Sequence, residues 1–344
     1  MTIQEQVPLA PLTTLGIGGP ARWFVEAVSE PEIVDAVGWA RDRAVPLFVL
    51  GGGSNLLVSD AGFAGLVVRV ASRGIETEED AGGRVYSVAA GEIWDGFVER
   101  VVRAGDAGIE CLAGIPGTVG GTPVQNVGAY GQEVSETVER VRVLDLETLD
   151  FKTMRNAECG FAYRTSLFNS SQRGRFLVTR VDYRLRLGGA ANLRYADLQK
   201  GFPAGAEPSL VEVAAEVRRI RRAKGMLLVD GDADCRSAGS FFKNPIVAVE
   251  RLADLTARLG MEPPHYAAGE GWFKLPAAWL IEKAGFRKGF ELGRAGVSSR
   301  HTLALVNLGG ATAKEMLALR DVIVDGVERV FNIRLEMEPV LLGF

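Results

Sequence analysis

The stretch Gly108–Gly131, GIECLAGIPGTVGGTPVQNVGAYG, decides how the rest of the chain is read. Glycines at 108, 114, 117, 120, 121, 128 and 131 run through it, with Pro116 and Pro123 between them and the amides of Gln125 and Asn126 beside them. Glycine loses more backbone entropy on ordering than any other residue and brings no side chain to pack. Such a density is sustained most simply where main chain passes close to something flat or anionic, and a set of tight turns between strands is the plainer alternative. A second run, Gly51-Gly52-Gly53-Ser54-Asn55, argues against coincidence.

Composition narrows the function classes. A chain of 344 residues is long enough for two or three domains, each with its own core. The 39 Lys and Arg against 43 Asp and Glu leave a net charge of −4, so no global field recruits nucleic acid or a membrane surface. Glycine is in excess at 42 residues while 47% of the chain is hydrophobic, which fits close backbone approach rather than disorder. Cys111, Cys159 and Cys235 are odd in number, far apart and without a CxxC pair, and the histidines are only His265 and His301. Neither a disulfide framework nor a metal site is expected from them. The N-terminus lacks a basic segment followed by an apolar core, and no run of about 18 apolar residues occurs, so a soluble cytoplasmic protein is expected.

Along the chain, residues 21–28 read as a strand, and Ser29 with Glu32 forms a capping box for a helix carrying Ile33, Val34, Val37 and Ala40. Residues 46–50 form a buried strand running straight into Gly51. A Rossmann dinucleotide fold needs a helix directly after its glycine turn, with the helix N-terminus facing the pyrophosphate. Here Leu56–Val58 and Gly65–Val70 read as strands instead. The other candidate, Gly16-Ile17-Gly18-Gly19-Pro20-Ala21, lacks the last glycine of the motif and also leads into a strand. Neither loop is Rossmann, although a glycine loop between strands can hold phosphate by aiming successive amides into a nest.

Farther on, residues 76–83 read as a solvated acidic turn and 84–90 as a strand. Ile93, Phe97, Val98, Val101 and Val102 mark an amphipathic helix closed by Gly105. Paired strands at 138–144 and 176–187 flank Tyr163-Arg164, an arginine inside an apolar and aromatic run. Ser209 caps a helix with Leu210, Val213, Val217 and Ile220. Its basic end, 218–224, is either a solvated complement to the macrodipole or a clamp for a phosphorylated ligand. Residues 226–238 are polar and mark a domain boundary. Helices follow around 249–259, 277–284 and 312–330, the last with a Thr312/Glu315 capping box, and a strand at 303–306. Residues 333–342 alternate, which puts Arg334, Glu336 and Glu338 on one face of a closing strand.

No P-loop, Ser/His/Asp motif or HExxH is present. Two glycine cradles with Arg164, Ser240, Lys243, Asn244 and Glu338 in apolar settings suit an organic cofactor that does the difficult chemistry. A flavin fits better than a free nicotinamide, because its ring and pyrophosphate would use both glycine stretches at once.

Six segments in order carry a resemblance: Leu50–Leu57, Ile115–Gly121, Gln125–Gly131, Tyr163-Arg164, Gly239-Ser240-Phe241-Phe242-Lys243-Asn244-Pro245, and Leu335-Glu336 followed by Glu338. Together they resemble the UDP-N-acetylenolpyruvoylglucosamine reductase family of bacterial peptidoglycan synthesis, from about Leu12 to Gly343. The resemblance implies an α+β chain, with a two-subdomain FAD-binding fold of the vanillyl-alcohol-oxidase type plus a C-terminal α/β substrate-binding domain. Its bounds would be 1–72 and 73–225 for the FAD subdomains, with a returning strand at 331–344, and 226–330 for the substrate domain. NADPH would reduce FAD, and the enolpyruvyl ether of a UDP-sugar would then take a hydride and a proton to give UDP-N-acetylmuramate.

By the same resemblance Ser240 is the proton donor, Arg164 forks onto the substrate carboxylate or developing enolate, and Glu338 is their partner. FAD contacts are expected from Leu50, Gly51, Gly52, Gly53, Ser54, Asn55 and Leu56 in the first loop and from Gly114, Ile115, Pro116, Gly117, Gly120 and Gly121 in the second. Asn126, Gly128, Ala129 and Val178 complete that set. Substrate contacts are expected from Tyr163, Tyr195, Lys224, Asn244 and His301, in a monomer. An oxidase on the same fold leaves the Gly239–Pro245 stretch without a role, and a catalytically silent nucleotide-sugar sensor is separated by the presence of flavin absorbance.

Overall fold

The protein is described by a computed structural model covering residues 1–344. In chain order it runs β1 (Gln4–Pro8), β2 (Pro20–Ala27), α1 (Glu30–Asp42), β3 (Leu47–Leu50), β4 (Leu56–Val58), β5 (Phe63–Val70), β6 (Ile75–Asp80), β7 (Gly83–Ala89), α2 (Trp94–Arg103) and β8 (Asp106–Ala107). Then come β9 (Gly128–Ala129), β10 (Gln132–Glu133), β11 (Val138–Asp145), β12 (Phe151–Arg155), β13 (Phe176–Leu187), α3 (Ala196–Gln199) and α4 (Leu210–Ala223). The chain closes with β14 (Ile246–Ala248), α5 (Val249–Leu259), β15 (Tyr266–Ala267), β16 (Trp272–Lys274), α6 (Ala277–Lys283), β17 (Glu291–Leu292), β18 (Ala295–Val297), β19 (Leu305–Asn307), α7 (Ala313–Phe331) and β20 (Val340–Leu342). This is the α+β organisation expected from the sequence. No helix is long and apolar enough to cross a membrane.

The chain divides into two compact units. The first comprises 1–7, 21–53 and 63–222, and the second comprises 8–20, 54–62 and 223–344. In the first unit a four-stranded sheet has the order β1-β2-β5-β3, with β2, β5 and β3 parallel. Parallel strands are buried on both faces, and Leu66, Val67 and Val68 of β5 are fully enclosed. α1 makes the crossover from β2 to β3 and packs Ile33, Ala36, Val37 and Ala40 inward. Ser29 Oγ accepts from the amide of Glu32 as the capping box requires. The Glu32 carboxylate, however, reaches back to the amide of Val28 rather than to the cap residue itself.

The second sheet of this unit is antiparallel, in the order β12-β11-β13-β7-β6, with β8 added to β13. α2 packs Trp94, Phe97, Val98, Val101 and Val102 inward, and the rings of Trp94, Phe97 and Tyr183 cluster with centroids 5.2–5.8 Å apart. The Tyr183 hydroxyl lies 2.6 Å from Thr122 Oγ1, so the central strand is tied directly to the glycine-rich stretch. Ile93, expected on the buried face, is instead the exposed cap residue of α2, and Trp94 takes the inward position.

Residues 76–83 are not a solvated turn. Ile75–Asp80 is a strand, paired through Glu76↔Ser87 and Glu78↔Val85 to β7 at the edge of the sheet. Its carboxylates answer arginines: Arg84 donates to Glu79, Arg184 Nη1 to Asp80 at 2.7 Å, and Arg180 Nη1 to Glu76 at 3.4 Å. Charged side chains on an edge strand also discourage pairing with another molecule. The strand β12 carries no comparable signal in the sequence.

The second unit gathers α5, α6 and α7 around Phe241, Phe242, Leu280, Ile281, Leu319, Ile323 and Phe331. α7 is capped by the Thr312/Glu315 box and ends on Asn332 in left-handed backbone at φ 51°. Two distant segments are tied into this unit by buried or capping side chains, and 54–62 also by the β4–β20 ladder. Asp60 accepts from the amides of Ala313 and Lys314 at 2.8 and 3.2 Å, capping α7 from the β4–β5 connection. Buried Asn307 donates to the carbonyls of Leu15 and Gly16 and accepts from the amides of Gly309 and Ala311. The terminal alternation is not one continuous strand. Phe242 and Met337 form a single bridge, Pro339 interrupts with no amide to give, and only Val340–Leu342 pairs in parallel with β4.

Asn307→Ala leaves two carbonyls and two amides of this unit short of partners. It is expected to lower unfolding stability by about 2 kcal/mol or more in urea titration, whereas an exposed asparagine replaced in the same way changes little.

Candidate active site

The two glycine loops meet as bare main chain. A Cβ on Gly52 would lie 2.5 Å from Gly117 Cα and 3.2 Å from the Thr118 amide nitrogen, and one on Gly51 would lie 2.8 Å from Thr118 Oγ1. No side chain fits in that contact. Gly53, Gly114 and Gly117 hold φ of 62°, 72° and 127°, backbone that favours glycine. On its other side the stretch is fixed to the β7–α2 connection. The amides of Trp94, Val119 and Gly120 donate to the carbonyls of Gly117, Glu92 and Ala90. Val178 sits in β13 opposite Val143, beside Thr179, whose carbonyl accepts from the amide of Ala90.

Gly114 is clamped from two helices. Asp95 of α2 accepts from its amide at 2.6 Å, and Arg221 of α4 donates Nε to its carbonyl at 3.0 Å. Asp95 also takes Arg218 at 2.7 Å. Within the basic end of α4, Arg221 is therefore a buried anchor of Gly114 rather than a solvated charge, whereas Arg219 and Arg222 are exposed. Burial pulls the Arg221 guanidinium below its usual pKa, opposed by the Tyr130 hydroxyl and Asp95. Burial likewise pushes the Tyr130 phenol up to about 12. Tyr130 meets Tyr195 edge to face at 5.4 Å, so this expected substrate residue stands beside the glycine-rich stretch. Asp95 and Arg221 were not singled out as site residues from the sequence. The available signal was that Arg221 falls four residues after Val217, on the buried face of α4.

Tyr163 and Arg164 form the tip of a two-residue turn closed by reciprocal hydrogen bonds between Ala162 and Thr165. Arg164 adopts φ 54°, a conformation that side chains avoid and that concentrates at functional sites. Its Nη2 donates to the Gly128 carbonyl at 2.6 Å, and its guanidinium lies 5.5 Å from the Tyr163 ring centroid. Ala129, next to Gly128, pairs with Gln132 in the β9–β10 ladder.

In the second unit Ser240 and Glu338 lie on adjacent segments. Phe241 and Phe242 are buried edge to face, and Ser240 beside them is half-buried. The Phe241 carbonyl accepts from the Glu338 amide at 2.9 Å, and the Lys243 amide donates to the Glu336 carbonyl at 2.9 Å. Asn55 grips the same segment on both sides of Pro339: its Nδ2 donates to the Glu338 carbonyl at 3.2 Å and its own carbonyl accepts from Val340 at 3.0 Å. The two glutamates differ in setting. Glu336 is exposed and pairs with Lys243 at 3.2 Å, while Glu338 is half-buried beside Phe241. Asn244 Oδ1 accepts from the amide of Ala277 at 2.8 Å and so holds the start of α6.

His301 accepts the Leu303 amide on Nδ1 at 3.2 Å, which leaves its proton on Nε2. Burial first, then the positive charges of Lys224 and Lys288, push its pKa down to about 4. A neutral Nε2–H beside two ammonium groups is suited to an anionic oxygen ligand. Because the unfolded chain takes up a proton at this site near pH 6.5 and the folded chain only near 4, folding stability falls as pH drops through that window. His301→Gln is expected to flatten the fall in Tm between pH 6.5 and 4, and an unchanged slope would contradict the assignment.

Residues 21–148 match the family model described as an FAD binding domain, and residues 231–342 match that of the UDP-N-acetylenolpyruvoylglucosamine reductase C-terminal domain. A UDP-N-acetylenolpyruvoylglucosamine reductase of Thermobifida fusca is 48% identical over 98% of this chain and 98% of its own. One of Streptomyces coelicolor is 46% identical over 99% of this chain and 91% of its own. The crystal structure of a UDP-N-acetylenolpyruvylglucosamine reductase from Thermus caldophilus superposes with a TM-score of 0.68 at 29% identity, covering 99% of this chain and all of that one. Matched from end to end by relatives of this closeness, the chain belongs to the UDP-N-acetylenolpyruvoylglucosamine reductase family.

Proposed function

We infer that this protein reduces the enolpyruvyl ether of UDP-N-acetylglucosamine enolpyruvate to UDP-N-acetylmuramate, a precursor of peptidoglycan, as an FAD-dependent, NADPH-using oxidoreductase. The observation that carries the reading is the Gly52–Gly117 main-chain contact. It lies inside the segment that matches the FAD-binding model, in a chain of this family.

The residues fit FAD. A seat lined by main chain at Gly51–Gly53 and Ile115–Thr118 would offer amides to a pyrophosphate and let a flat ring approach closely, while the amides of Gly114 and of residues 119–121 are engaged in the protein's own hydrogen bonds. Leu50, Ser54, Asn55 and Leu56 flank the first loop, and Ile115, Pro116, Gly128, Ala129 and Val178 belong to the same expected cofactor set, whereas the side-chain amide of Asn126, expected there from the sequence, is taken up by Glu133, Ala162 and Ser135. When bound, FAD relays a hydride from NADPH to one carbon of the substrate double bond.

The chain's own residues supply the rest. Ser240 delivers a proton to the second carbon. A hydroxyl is a poor acid, so the role requires that negative charge on the substrate be stabilised and quenched at once. Arg164 is suited to that task, since a guanidinium can fork onto a carboxylate in a geometry that lysine lacks. Glu338 acts with them as a hydrogen-bonding partner. Lys224 and His301 suit the diphosphate of the UDP-sugar, with Tyr163, Tyr195 and Asn244 as further substrate contacts. In this reading the protein works as a cytoplasmic monomer.

Ser240→Ala is expected to leave NADPH-driven flavin reduction intact and to slow flavin reoxidation by the enol ether by roughly 10²-fold or more in rapid-mixing experiments. Equal loss in both half-reactions would remove the donor assignment. Gly52→Ala is expected to weaken FAD binding by about tenfold or more, measured by reconstitution of apoprotein. Gly38→Ala, whose added Cβ meets nothing within 4 Å, is the control that keeps its flavin.

A further inference from the structure

We propose that Asn126 is a positioning residue for Arg164, holding the turn that carries the arginine rather than gripping the cofactor. Asn126 is 1% exposed. Its Nδ2 donates to Glu133 Oε2 at 2.7 Å and to the Ala162 carbonyl at 3.1 Å, and its Oδ1 accepts from the Ser135 amide at 3.1 Å. Both N–H groups and the oxygen of the amide are thus engaged by the protein itself. The residue sits at φ 45°, left-handed backbone that asparagine tolerates better than most.

The carbonyl that it holds belongs to Ala162, the first residue of the Arg164 turn, which also accepts from Thr165. A second asparagine acts on the far side, where Asn169 Nδ2 donates to the Arg164 carbonyl at 3.1 Å. Glu133, the other partner of Asn126, pairs with Gly128 in the β9–β10 ladder. A Cβ on Gly128 would meet Glu133 Cγ at 2.7 Å and Arg164 Nη1 at 3.2 Å. The Gly128 carbonyl is the acceptor of Arg164 Nη2. One amide therefore ties together the ladder that receives the guanidinium and the strained turn that projects it. Without it, the left-handed arginine loses the contact that fixes its backbone against its acceptor.

The proposal rests on the assignment of Arg164 to the substrate, and its test keeps the two apart. Asn126→Gly keeps the φ that the position requires and removes the amide. The double variant Asn126→Asp with Glu133→Gln restores a hydrogen bond between 126 and 133 with the roles reversed but has no donor for Ala162. Three quantities are read on the purified flavoprotein: FAD content, hydrogen exchange at the amides of Ala162 and Thr165, and the rates of flavin reduction by NADPH and of reoxidation by the enol ether. Both variants are expected to retain FAD and to reduce it within about twofold of the parent. They are expected to exchange faster at 162 and 165 with sheet amides unchanged, and to reoxidise roughly 10- to 100-fold more slowly. Arg164→Lys is the control and slows reoxidation alone.

Loss of FAD in the double variant would place Asn126 in the cofactor seat and overturn the proposal. So would unchanged exchange at 162 and 165, or normal reoxidation in a background where Arg164→Lys is slow. If Arg164→Lys itself reoxidises normally, the assignment of Arg164 fails and the proposal fails with it. Should Asn126→Gly not fold, the double variant decides alone.

Discussion

The contact on which the site depends is main chain against main chain, Gly52 on Gly117, with Gly51 against the side-chain hydroxyl of Thr118. It forms because β3 ends in a loop without side chains, and because the second loop is held from behind: the Trp94 amide donates to the Gly117 carbonyl, and the loop's own Val119 and Gly120 amides donate to the carbonyls of Glu92 and Ala90. Thr122 fastens the same stretch to Tyr183 in the middle of the antiparallel sheet. A cofactor seat made this way has its shape set by backbone and sheet register, and a single methyl group is enough to disturb it.

Holding glycine in one conformation requires anchors, and the protein uses charged side chains for them, buried Arg221 and Glu110 and half-buried Asp95. Arg221 and Asp95 fix the two polar groups of Gly114. Fully buried Glu110 accepts from the amides of Gly108 and Asn192 and from the side chain of Gln132. An unpaired charge in such places would be strongly destabilising, whereas one with all its hydrogen bonds made fixes geometry. Through Glu110 and Asn192 the start of the glycine-rich stretch is linked to the segment leading to Tyr195. The glycine-rich loop and the expected substrate loop are thereby parts of one hydrogen-bonded assembly.

Much of this was legible in the sequence because it was written locally. The glycine loops, the absence of a helix after Gly53, the Ser29 cap of α1 and the capping box of α7 each depend on residues within a few positions of one another. What stayed hidden depends on partners far away. β6 looks like a polar turn until Arg180 and Arg184, about a hundred residues later, supply its counter-charges. The closing segment keeps its alternation of burial through Glu336, but Pro339 breaks the ladder that alternation alone would extend. That residues 8–20 and 54–62 join the second unit follows from Asn307, from the Asp60 cap on α7 and from the pairing of β4 with β20, partners that no spacing rule connects. The Arg164 motif was visible, yet its left-handed backbone and its asparagine supports were not.

The central claim is that two separate stretches of bare main chain form one seat for the flavin dinucleotide. Hydrogen exchange of the apoprotein with and without added FAD tests it most directly. Amides at 51–53 and at Ile115, Gly117 and Thr118 are expected to become protected together and at the same FAD concentration, while amides of α7 stay as they were. Protection confined to one of the two loops, or spread evenly over the chain, would contradict it.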